Sequence, residues 1–137
     1  MKLKSFVVFF FGVLLTIVVG SAVVKAQSTG QPTVVNITLA PQAQGEYRIE
    51  SSMTTFSKGV PYRFSIRNAG KKPHEFAIMP PGKTDTRLAL LEIEEDELLP
   101  NSAATRDFTF SKAGDLEFAC HFGNHYSKGM MLPITVR

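Results

Sequence analysis

The stretch Leu116-Glu117-Phe118-Ala119-Cys120-His121-Phe122-Gly123-Asn124-His125-Tyr126-Ser127-Lys128-Gly129-Met130 contains both a strand and a loop. Leu116, Phe118 and Cys120 alternate with Glu117 and Ala119, the period of a half-buried strand. Leu132, Ile134 and Val136 alternate in the same way and close the chain. The segment from Cys120 to Met130 therefore joins two strands as a loop at one end of a sheet.

Upstream, the same alternation recurs. Val35, Ile37 and Leu39 share one face of a candidate strand, and Tyr62, Phe64 and Ile66 share another that ends at the turn signal Asn68-Ala69-Gly70. His74, Phe76 and Ile78 share a third, stopped by Pro80-Pro81 because proline cannot donate to a ladder. Phe108 and Phe110 mark a fourth, before the turn Lys112-Ala113-Gly114, and a weaker one runs from Tyr47 to Ser51. Leu88, Leu91 and Leu98 could sit on a helix within Thr86 to Leu99, but the acidic residues there favour a loop or short helix. Short strands punctuated by Gly, Pro and Asn predict an all-β, antiparallel sandwich or barrel.

The N-terminus is a different material. Lys2 and Lys4 precede an apolar run from Phe6 to Val24, and Val24-Lys25-Ala26 before Gln27 offers a cleavage site. Basic start, apolar middle and small residues at the end are the parts of a secretory signal peptide, here residues 1–26. The run is also nearly long enough to span a bilayer, so a retained anchor is the alternative. The fall in hydrophobicity from Ser21 to Ala26 favours cleavage, and both readings place the rest outside the cytoplasm, in a periplasm or lumen. Residues 27–32 (QSTGQP) read as a linker, and residues 33–137 as one domain. The 137-residue chain carries a formal net charge of +3. Lys2, Lys4 and Lys25 account for it, leaving 12 basic against 12 acidic residues in the domain. The basic excess belongs to the address segment, and a nucleic-acid partner is not expected. A single cysteine excludes both an internal disulfide and a Cys-rich zinc module.

The parity of the strands turns His74 and Cys120 inward, where bare imidazole or thiol is poorly solvated. Taken singly, each would be an ordinary core residue. His125 follows Cys120 after four residues, and Met130 follows His125 after four more. One loop can curl these three side chains around a point while His74 arrives from another strand. A thiolate, two imidazoles and a thioether are the ligand set of a type 1, or blue, copper site. Soft sulfur suits Cu(I) and imidazole suits Cu(II), so a compromise geometry serves both states. Zinc rarely uses methionine, and iron–sulfur clusters need more cysteines.

The pattern His74 … Cys120-x₄-His125-x₄-Met130 resembles the cupredoxins, the plastocyanin and azurin group. Asn68 to Phe76 (NAGKKPHEF) and Phe118 to Met130 (FACHFGNHYSKGM) are similar to bacterial plastocyanin-like members. The resemblance implies a Greek-key β-sandwich with one copper ion near one end and a role as a one-electron carrier, not an enzyme. It implies partners such as a cytochrome or a copper or haem oxidase, met by a monomer through the exposed edge of His125. Gly123, Met131 and Leu132 are rim candidates by proximity in sequence. A copper tolerance or delivery protein on the same fold is the alternative. A thiol hydrolase built on Cys120 conflicts with its inward parity.

Two departures from that pattern stand out. Glu75 and His121 replace the Asn and Ser or Thr that commonly follow the first His and the Cys, and a Glu75–His121 contact is the expected substitute tie. His121 itself should point away from the metal, as neighbours on extended backbone do. Gly123-Asn124 replaces Pro-Gly, with Asn able to take left-handed dihedrals. Spacing favours Met130 over Met131 as the axial ligand, with Met53 and Met79 as core or surface residues. The acidic run Glu92, Glu94, Glu95, Asp96, Glu97 reads as a solvated face that could also steer a basic partner.

Overall fold

The computed structural model describes residues 30–137. The leader lies outside the described residues; among those described, no helix is long and apolar enough to cross a membrane. Nine strands form two sheets: β1 (Thr33–Leu39), β2 (Ile49–Ser51), β3 (Thr55–Phe56), β4 (Pro61–Asn68), β5 (Phe76–Met79), β6 (Leu91–Ile93), β7 (Ala103–Thr109), β8 (Gly114–Ala119) and β9 (Met131–Val136). One sheet has the order β2-β1-β4-β7 and the other β3-β9-β8-β5-β6. The architecture is an all-β sandwich.

The strands expected from alternation are all present, and β4 shows why. Tyr62, Phe64, Ile66 and Asn68 are buried, and the residues between them are exposed or half-buried. A one-residue slip would turn that whole set to solvent, so the register is firmly specified. From both sheets, Phe56, Tyr62, Phe64, Phe76, Phe110 and Phe118 meet in the middle. Their ring contacts include edge-on pairs such as Phe56–Tyr62 at 5.1 Å and Phe64–Phe118 at 5.8 Å. Burying each such ring contributes about 2–3 kcal/mol. This aromatic layer is the rigid floor under the site.

Three expectations need correction. The sheets are mixed rather than purely antiparallel, because β1 runs parallel to β4 and β3 parallel to β9. Thr86 to Leu99 holds a 3-10 turn (Thr86–Leu88) followed by the strand β6, not one loop or helix. Leu98 is fully buried while Leu88 is 45% exposed, so no common helical face exists. The strand β6 escaped notice because only Ile93 of its three residues is fully buried. Third, Gly123, not Asn124, takes the left-handed backbone, with φ of 56°.

Candidate metal centre

Cys120 directly follows β8, and its backbone N–H donates to the Met130 carbonyl at 3.1 Å, closing the loop at its neck. Inside the neck, the Met130 N–H donates to the His125 carbonyl at 3.1 Å. A 3-10 turn over Tyr126–Lys128 ends on Gly129, whose φ of 89° suits glycine. A Cβ there would also lie 3.0 Å from the Arg48 guanidinium. The compact loop thus returns the chain to β9 with Cys120, His125 and Met130 all buried.

His74 comes from the segment before β5, which a buried side chain holds. Asn68 Nδ2 donates to the carbonyls of Lys72 at 2.7 Å and Leu98 at 2.8 Å. Its Oδ1 accepts from the Gly70 N–H at 2.8 Å. The turn signal seen at Asn68-Ala69-Gly70 is therefore also a clamp on the His74 segment.

Three donor atoms converge. His74 Nδ1 lies 3.1 Å from His125 Nδ1, and Cys120 Sγ lies 3.8 Å from the first and 3.4 Å from the second. A triangle with those sides has a circumradius of about 2.0 Å, close to the usual bond lengths of about 2.0–2.3 Å from a metal to imidazole nitrogen and thiolate sulfur. The fit follows from side chains alone. Met130 is fully buried in the same core cluster as Cys120. Met131 turns to the opposite face of the sheet, against Ala77, Met79 and Ala119, where Met79 is itself fully buried.

The surroundings tune these groups. Burial pushes the Cys120 thiol up to about 11, although the Glu75 and Phe122 backbone N–H groups oppose the shift. The Glu75 N–H donates to Sγ at 3.3 Å. Burial also pulls both imidazoles below their ordinary value, outweighing the Glu46 carboxylate beside His74. Neutral rings have a lone pair free for a metal at neutral pH.

Glu46 is the residue that pattern reading missed. It accepts from the backbone N–H groups of Lys71 at 3.0 Å and Lys72 at 2.9 Å, and pairs with His74 Nε2 at 3.2 Å. Burial pushes its carboxyl up, but these bonds together hold it below its ordinary value. The carboxylate fixes the ring so that Nδ1 faces the other donors, as carboxylates commonly do for metal-ligating histidines. Nothing in the sequence marks it, since it sits in a connecting loop far along the chain from His74.

The expected Glu75–His121 side-chain contact is absent. The His121 ring stacks on Tyr126, with centroids 4.6 Å apart and an interplanar angle of 19°. Neither Glu75 Oε1 nor His121 Nε2 has a hydrogen-bond partner. Burial first, then the Glu92 charge, pushes the Glu75 carboxyl up to about 7, against the nearby His121 backbone N–H. The outward turn of His121 agrees with strand parity. Tyr47 at 5.1 Å and Phe122 at 5.5 Å flank the His125 ring. Leu132 is half-buried against the main core, Met131 is half-buried on the outer face, and Gly123 is exposed.

The two-sheet sandwich thus carries an inward His, Cys, His cluster at one end, and its fold is shared by copper proteins of known structure. No model of a protein family and no curated protein matches the sequence. Solved structures do match. Auracyanin from Roseiflexus castenholzii aligns with a TM-score of 0.58 at 18% identity, over 79% of this chain and 99% of its own. Rusticyanin from Thiobacillus ferrooxidans aligns at 0.61 and 18%, over 80% and 79%. Auracyanin A from Chloroflexus aurantiacus, a "blue" copper protein, aligns at 0.60 and 16%, over 78% and 100%.

Proposed function

We propose that this chain is an exported type 1 copper protein that carries single electrons between redox partners. The observation that supports this most is the donor triangle of His74, Cys120 and His125, with its common centre about 2.0 Å from each atom. In this reading His74 Nδ1, His125 Nδ1 and Cys120 Sγ would hold the metal, with the buried Met130 thioether as a further, weaker donor. Copper, when bound, supplies the one-electron couple between Cu(I) and Cu(II). The chain's own residues do the rest. The thiol gives up its proton on metal binding, and the N–H of Glu75 then stabilises the thiolate charge. The aromatic floor and the closed loop neck keep the donors in place in either oxidation state and exclude water.

Electron transfer is favoured over copper delivery because the donors are hidden. His74, Cys120 and Met130 are fully buried and His125 is 6% exposed, so a receiving protein has little to grip. The aligned proteins include auracyanin A, a "blue" copper protein, which agrees with the chemistry argued from the donors. Export rests on the leader read in residues 1–26. The decisive experiment is a copper(II) titration of the purified chain. One equivalent should produce an intense visible thiolate-to-copper band that Cys120→Ser abolishes, and a colourless protein overturns the reading. Carrier and delivery roles separate by rate: electron exchange with a cytochrome should far outpace copper loss to a chelator.

A further inference from the structure

Glu75, Glu92 and Glu94 bring carboxylate oxygens within 4.8 Å of one another on the outer face of the five-stranded sheet. The ladder explains the grouping. β5 and β6 are antiparallel with Phe76 opposite Ile93 and Ala77 opposite Glu92. One step further along the same register brings Glu75 level with Glu94. Because side chains alternate across a strand, all three acids fall on the face opposite the His74 cluster.

Three acidic side chains on and just beyond the ends of adjacent strands repel one another when charged, and the sheet has adopted this arrangement without a basic partner. Among the described residues, no ion pair involves any of the three. Glu75 is the telling member. It is only 6% exposed, and its Oε1 has no hydrogen-bond partner. Leaving a buried carboxylate oxygen unpaired costs several kcal/mol in general, so something must satisfy it.

We propose that these three carboxylates form a site for a hard, calcium-sized divalent cation, separate from the His74–Cys120–His125 cluster. Calcium takes oxygen ligands at about 2.3–2.6 Å, so oxygens across its shell stand up to about 5 Å apart, which the trio's spacing matches. Magnesium needs a tighter octahedral shell near 2.0–2.1 Å and holds its water, so it suits this loose trio less well. The donors are all oxygen, which argues against a soft metal. Glu92 is half-buried and Glu94 exposed, so the site opens to solvent on one side while Glu75 forms its floor. Water completes the shell on the open side.

The test is calorimetric titration of CaCl₂ into the purified full chain at about 0.15 M KCl, where diffuse attraction to the acidic run is screened. Saturable binding of one calcium per chain is expected, with an unfolding temperature that rises with calcium concentration. Glu92→Gln with Glu94→Gln should weaken binding by about tenfold or more, because two of the three charged ligands are lost. Asp96→Asn, in the same acidic run but outside the trio, should leave it unchanged. Without calcium, the double variant should unfold no earlier than the wild type, since it relieves repulsion; this separates lost binding from lost folding. Absence of saturable calcium uptake overturns the proposal, and would mean that a proton satisfies Glu75. Equal weakening by Asp96→Asn also overturns it, by reducing the effect to general acidity.

Discussion

At the scale of single residues, Cys120 makes the most direct claim on experiment. Burial raises its thiol from the ordinary 9.0 to about 11 in the folded chain. The folded state therefore holds this proton more tightly than the unfolded chain does. The associated stability is fully present below pH 9 and is lost as pH rises towards 11, by about 2–3 kcal/mol. Urea unfolding of the metal-free chain at about pH 8 and about pH 10.5 measures this loss, with Cys120→Ser as the reference for lysines and tyrosines that titrate nearby. The wild type should lose more stability than the variant across that interval. Parallel losses would mean that the thiol is hydrated and its environment less apolar than the burial indicates. His74 and Cys120 were legible beforehand because their chemistry and parity agreed, and His125 because of its spacing after Cys120. Glu46 was not legible, because its role depends on a loop closing onto the Lys71 and Lys72 amides, and no local pattern encodes that closure.

Among the elements, every strand but β3 and β6 was readable. β1 and β4 alternate large apolar side chains over seven and eight residues, which leaves one solution. β3 has two residues and β6 three, too few for a period to emerge, and their strand character comes from pairing with β9 and β5. Parallel pairing of β1 with β4 was equally invisible, since alternation fixes a face and not a direction. The connections carry the site's precision, and Gly70 tests one of them. A Cβ at Gly70 would lie 2.5 Å from Glu46 Oε1 and 2.6 Å from the Ala40 Cβ. Gly70→Ala should therefore destabilise the chain by about 1–3 kcal/mol through overpacking. It should also push Glu46 off His74 and weaken copper affinity, by about 10–100-fold as for other carboxylate partners of metal-bound histidines. Chelator competition reads the second effect separately from unfolding. Lost stability with unchanged copper affinity would show that Glu46 does not position His74.

For the domain as a whole, 12 basic and 12 acidic residues hide an uneven distribution. Glu92 and Glu94 lie on or beside the edge strand β6. The surface over His125 is basic: Lys128 Nζ stands 4.3 Å and Lys72 Nζ 5.7 Å from the ring centre of Tyr47, which packs on His125. The acidic run was the feature expected to steer partners, yet lysines flank the Tyr47 ring that packs on His125. If electrons leave through His125, an anionic reagent should be drawn to that rim and an acidic partner surface should fit it. Reduction of ferricyanide by the copper(I)-loaded chain should therefore slow several-fold as ionic strength rises from about 0.01 to 0.2 M, because screening shortens the attraction. Lys72→Gln with Lys128→Gln should remove most of that dependence, while Asp96→Asn should leave it in place. A rate that climbs with salt in the wild type would instead mean that the acidic edge governs approach, and would move the electron's exit away from His125.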